Sequence, residues 1–175
     1  MTDQWVLLIV VIAFLLVILL LVKNFSKKVE PNHSLLIQGE LLKQKQSIFL
    51  PYKAEAFQRV ILYLERIHPS TLSFRLMQPN MNAIILQSLM LKAIREEFDH
   101  NAAQQLYIST ESWSMLKNAK EETVKIINIA ASQMKADSTA NDLATAIISV
   151  TAEVNPLPSE IALEVLKKEW RGVIH

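Results

Sequence analysis

Residues Trp5 to Val22 are eighteen consecutive apolar side chains, with no charge, glycine, proline or hydroxyl among them. On a helix this run is about 27 Å long, close to the hydrocarbon thickness of a bilayer. A segment that is apolar all round has no polar face to turn to water, so it cannot be an ordinary surface helix. Three fates remain: a buried core helix, a cleaved secretory signal or a transmembrane anchor. The lack of any polar stripe fits the first poorly. A signal needs a basic start, a shorter apolar core and a small-residue cleavage site. Here Met1-Thr2-Asp3-Gln4 carries an acid and no base, and Lys23-Asn24-Phe25-Ser26-Lys27-Lys28 contains no Ala-x-Ala pattern. The sequence therefore predicts an uncleaved anchor, with residues 5–22 in the lipid bilayer. Asp3 alone precedes the span, whereas Lys23, Lys27 and Lys28 follow it. That bias predicts a single-pass protein of the cell membrane, N-terminus outside and C-terminal domain cytoplasmic.

The span is chemically quiet. It holds no ionisable residue to relay protons or coordinate ions. Ala13 is its one small residue, so it has no small-xxx-small packing seam. The expected role is passive anchoring.

Behind the span the charges nearly balance. Of 18 Lys+Arg and 17 Asp+Glu, only Asp3 lies before it, which leaves the remainder at +2. No clustered basic face is present, and no nucleic-acid partner is expected. The absence of cysteine excludes disulfides, thiolate metal sites and cysteine nucleophiles. With only Gly39 and Gly172, the chain cannot build a phosphate-cradling loop or a dinucleotide fingerprint. No cofactor and no small-molecule substrate is indicated. Scarce glycine with abundant helix formers predicts an all-α protein: one N-terminal transmembrane helix followed by a compact multi-helix soluble domain. The divisions expected are an anchor with its basic flank over 1–28, a juxtamembrane connector over 29–53 and a helical domain over 54–175.

Along the chain, Val29 to His33 reads as a polar, proline-bearing joint, and 34–46 as weakly helical. Pro51 suits the first turn of a new helix. Phe57, Val60, Ile61, Leu64 and Ile67 form a helical stripe that stops before Pro69. Residues 70–81 fit irregular structure or one helical turn. A long helix is expected from about Asn82 to Gln105, burying Leu86, Leu89, Met90, Ala93 and Phe98. Tyr107 and Ile108 form a joint, and Ser109 is the expected cap of the next helix, which buries Trp113, Leu116, Val124, Ile127 and Ala131. Asp137 and Ser138 are the following capping candidates, before a helix burying Leu143, Ile147 and Val154. Asn155-Pro156-Leu157-Pro158 breaks the chain. Ser159 and Glu160 open a last helix with Leu163, Leu166 and Trp170 on one face.

Several stretches resemble a family of small bacterial proteins with one N-terminal span and no assigned function. They are Ala54 to Ile67, Ile94 to Asn101, Gln104 to Ser109 and Trp113 to Glu122. The resemblance runs from the anchor to about residue 130, and Arg95-Glu96-Glu97-Phe98-Asp99-His100-Asn101 is its most distinctive part. It implies an architecture and brings no activity with it.

That run is also the strongest chemical candidate. Glu96, Glu97, Asp99, His100 and Asn101 form a polar patch, in which Glu96 or Glu97 shares a helix face with His100. Glu-x-x-His is the ligand spacing of di-iron carboxylate bundles, and Glu65-Arg66-Ile67-His68 repeats it. Against a metal site, His68 stands at a helix end before Pro69, and such a site needs two further inward glutamates. The favoured reading of the patch is a solvated or partner-facing surface. A third is a buried network in which His100 and Asn101 tie the long helix to the Tyr107 joint. No nucleophile elbow or triad context is present, so no catalytic, cofactor-binding or metal residue is assigned.

The sequence thus favours a non-catalytic, membrane-anchored interaction or accessory subunit with a protein partner or a homo-oligomeric state. The competing class is a helical metalloenzyme using Glu97, His100, Glu65 and His68. Lipid sensing through residues 23–53 is a more distant third.

Overall fold

The computed structural model describes the backbone of residues 2–174 and the side chains of residues 4–24 and 36–173. Asp3, Lys27 and Lys28, on which the predicted orientation rests, have side chains outside the described residues. Among the described residues every regular element is a helix: α1 Thr2–Arg66, α2 Pro69–Leu76, α3 Ala83–Asn101, a 3₁₀ turn Ala102–Leu106, α4 Thr110–Ser132, α5 Ala140–Glu153 and α6 Pro158–Ile174. The all-α expectation holds. The chain divides into two compact units, Met1–Leu50 and Pro51–His175.

The described residues of the first unit are helical throughout. Gln4–Asn24 is long and apolar enough to cross a membrane, with a mean hydropathy of 3.6 and none of it buried. The joint expected at Val29–His33 is not formed; the backbone of 29–53 is helical, in keeping with the weak helix expected over 34–46. Pro51 likewise opens no new helix, because α1 passes through it. Each proline withholds a single N–H from the helical ladder. The helix formers on both sides, Gln, Leu and Lys among them, continue it.

The second unit is built around one apolar core. The end of α1 supplies Phe57, Val60, Leu64 and Ile67 as its sequence stripe predicts, with the buried Tyr63 added. Within residues 70–81, expected as irregular structure or one helical turn, the part up to Leu76 joins Pro69 in the two-turn helix α2, with Pro69 in its first turn and Leu72 fully buried. Proline there costs nothing, since that N–H would have no helical partner anyway.

The helix α3 starts one residue later than expected because Asn82 caps it, its side chain accepting from the Ile85 N–H at 2.8 Å. It ends at Asn101 and tightens into the 3₁₀ turn. Its buried row is Ala83, Leu86, Met90 and Ile94. Ile94 replaces the expected Leu89, which is only half-buried. Ser109 caps α4 as expected, accepting from the Ser112 N–H at 3.1 Å. The cap of α5 is Thr139, not Asp137 or Ser138. Thr139 and Asp142 close a reciprocal capping box. On α5 the buried row ends at Val150, whereas Val154 is the exposed C-cap. The last helix begins at Pro158 and buries Leu166, with Leu163 and Trp170 packed at the core's edge.

One short backbone pairing ties two helix starts together. Asn82 and Thr139 form an isolated antiparallel bridge. The Ala83 N–H donates to the Ser138 carbonyl at 3.0 Å, and the Ala140 N–H to the Met81 carbonyl at 2.9 Å. Both caps are thereby fixed at one end of the core.

Candidate functional site

The polar run that closes α3 does not act as one surface. The inward row of α3 continues from Ile94 to Glu97 and Asn101, and helical geometry sends the intervening residues outward. Asn101 is buried, and its side-chain amide donates to the Glu97 carbonyl one turn earlier at 2.7 Å. This bond sits where α3 tightens into the 3₁₀ turn, so Asn101 serves the helix end. Glu97 is largely covered and pairs with Arg66 of α1, Oε1 to Nε at 3.2 Å. Glu96 faces solvent and lies 3.7 Å from Lys92 along the same helix. Asp99 and His100 are also exposed. Of the five candidate residues, two turn into the domain and three turn to water.

The two Glu-x-x-His runs follow the same division. Glu65 and His100 are exposed, and Glu97 is engaged by Arg66. His68 caps the start of α2 without a side-chain cap hydrogen bond, and its Nδ1 is buried without a partner among the described residues. Among the described residues, no three or more His, Asp and Glu side chains are gathered as a set of metal ligands.

Between the candidates stands Phe98, which sequence reasoning placed in the core without giving it a role. Its ring meets Tyr63 of α1 edge-on at 6.0 Å and Trp113 of α4 at 5.6 Å. The ammonium of Lys120 lies 4.4 Å from the centre of that ring, and it also pairs with Glu121 at 3.0 Å. A cation over an aromatic face gains from the ring's negative quadrupole. The aromatic triad therefore fastens α1, α3 and α4 together, and charged side chains edge it.

Tyr63 is the unusual member. Its hydroxyl is buried and has no hydrogen-bond partner among the described residues. Burial foremost pushes its ionisation far above the usual phenol range, and the carboxylates of Glu121, Glu97 and Asp99 push in the same direction. The phenol stays neutral at any physiological pH. Sequence reasoning missed Tyr63, although it occupies the i+3 position from Val60 on a stripe already identified. The spacing could have found it.

A separate concavity lies at the bridged end of the core. It is a cleft of about 730 Å³ lined by residues 77–82 and 137–141. Asn80 there adopts a left-handed backbone with φ 62°, a conformation asparagine tolerates better than most residues. Its lining mixes apolar Met77, Pro79 and Met81 with short polar side chains, and Asp137 is the one ionisable residue among them. The local signals were the Pro79-Asn80 turn pair and the Asp137-Ser138 cluster.

A family model described as "Family of unknown function (DUF7935)" matches residues 1–173. The chain belongs to this family. The match covers the apolar helix as well as the helical core. No curated protein and no solved structure matches the chain.

Proposed function

We propose that this protein is a membrane-anchored, non-catalytic helical subunit, held by residues 5–22 and acting through protein contacts at the cytoplasmic face of the membrane. The observation that carries the reading is the helix Gln4–Asn24, whose mean hydropathy is 3.6 and which is wholly unburied. A core helix of a soluble protein would be covered by its own chain. Lys23, Lys27 and Lys28 behind the span favour N-terminus-out insertion. The chemistry of the second unit supports an interaction role. Its most distinctive polar run is spent on an ion pair, a helix end and a solvated face, and its buried tyrosine is held neutral. Apolar side chains such as Leu106, 80 % exposed on the 3₁₀ turn, offer contact points.

Two measurements test this. Alkaline extraction of native membranes should leave the full-length chain in the pellet; recovery in the supernatant would overturn the anchor. Purification in mild detergent should bring down a stoichiometric protein partner or yield a homo-oligomer. A partner-free monomer with bound metal would overturn the interaction role in favour of the metalloenzyme.

A further inference from the structure

We infer that residues 36–50 form a parallel helix–helix seam with a second copy of this chain. This deepens the anchored reading and rests on it. Within the first unit, every described side chain from Leu36 to Leu50 is exposed, large apolar ones included. These residues cannot be covered by the bilayer while the helix stays continuous. Counted along α1 from Asn24, Leu36 lies about 18 Å and Leu50 about 39 Å beyond the span, whereas the headgroup layer on each side is only about 5–8 Å deep. Ile37, Leu41 and Ile48 among them are therefore open to a protein surface.

The sequence register identifies that surface. Ile37, Leu41, Gln44 and Ile48 are spaced four, three and four apart, the alternation of a coiled-coil seam. Membrane insertion by one charge rule gives every copy the same orientation, so equivalent residues stand at equal height and the pairing is parallel. In a parallel pair, the position before one core residue faces the position five residues further along the partner. Here those positions hold Glu40 and Lys45, opposite charges that form no ion pair within the chain among the described residues. Two reciprocal Glu40–Lys45 pairs would flank the seam. Gln44 places one polar group in the otherwise apolar seam. The span lacks a small-residue seam of its own, so this segment is where two anchored copies can recognise each other.

The natural absence of cysteine permits a direct test on the full chain in native membranes. Single cysteines are introduced at 37, 41, 44 and 48 and, on the opposite face, at 39, 43 and 46, followed by mild oxidation. The expected result is a disulfide-linked species of twice the chain mass at the first four positions and little at the last three, a period of about 3.5 residues. Lys45→Glu should weaken the link, and Glu40→Lys combined with Lys45→Glu should restore it. A flat pattern across the seven positions, or adducts of another mass marking a different partner, would overturn the seam. The membrane fraction is scored in the same samples. A chain absent from that fraction breaks the anchored reading, whereas a chain present there with no periodic cross-linking breaks only the seam.

Discussion

Leu15 and Leu86 are both helical leucines, yet Leu15 is 54 % exposed and Leu86 is fully buried. The contrast holds for the two units that contain them. In Met1–Leu50 every described side chain is exposed, whereas Pro51–His175 folds most of its apolar side chains into a single core. The difference lies in pattern more than in amount of apolar residue. The second unit repeats its apolar side chains at three and four, which gives each helix one face to bury and one to hydrate. From Trp5 to Val22 there is no second face, so no neighbouring helix could satisfy the segment by covering one side. A helix that is apolar all round is matched to a solvent, and a helix with a stripe is matched to a neighbour.

Substitutions can break that contrast, and the largest effect belongs to the core. Leu86→Ala should cost about 2–5 kcal/mol through lost transfer energy and a cavity, read as a lowered unfolding temperature of the purified full chain. Leu15→Ala should leave that temperature unchanged. If both lowered it equally, the two units would not be separate in energy. Next comes Leu15→Arg, a charge near the middle of the span, which should cost insertion about 2.5–3.5 kcal/mol. The readout is the fraction of chain resisting alkaline extraction, with the exposed Asn141→Arg as the control that should change nothing.

A smaller effect of opposite sign is expected at Tyr63. Its hydroxyl is buried without a partner among the described residues, and burying an unpaired hydroxyl costs about 1–3 kcal/mol in proteins. Tyr63→Phe should therefore raise the unfolding temperature. A fall would mean that the hydroxyl is used, and would reopen the aromatic cluster as a site. The smallest effect sharpens how the second unit holds its helix ends. The Thr139 N–H foremost, then its hydroxyl, donates to the Asp142 carboxylate and holds it below the ordinary aspartate value of 3.8. A lowered folded value adds stability above the unfolded value, and that gain is lost as pH falls through 3.8 and on through the folded value. Asp142→Asn should remove this step from the acid limb of a stability–pH curve. An unchanged limb would show that the capping box is idle.

Most of the second unit was legible because its helices obey one rule at a time. Phe57 to Ile67, Ser109 as a cap and the break at 155–158 follow directly from period, capping chemistry and proline. The misreadings arose where two rules competed. Thr139 was passed over because Asp137 and Ser138 are also good caps; the reciprocal bond to Asp142 decides between them, and it needs a partner three residues on. Pro31 and Pro51 suggested breaks, but each removes one bond from a ladder that its neighbours maintain. Residues 70–76 suggest irregular structure or one helical turn, whereas burial of Leu72 and Ser73 against the core carries the helix to two turns. The candidate site was less legible still. Five adjacent polar residues look like one patch in a sequence, whereas a helix distributes them around its axis. The aromatic contacts among Tyr63, Phe98 and Trp113 join three helices, and no spacing within one helix reports them.

The bridge between Asn82 and Thr139 also governs how this fold can vary. Each residue caps a helix with its side chain and pairs across to the other with its backbone, so the flanking positions 81–83 and 138–140 cannot change length independently. Insertions and deletions are left to the outer parts of the two cleft loops, around 77–80 and 133–137. Exposed loop stretches of that kind absorb them at little cost. The cleft can thus be relined by loop exchange while its floor stays the same.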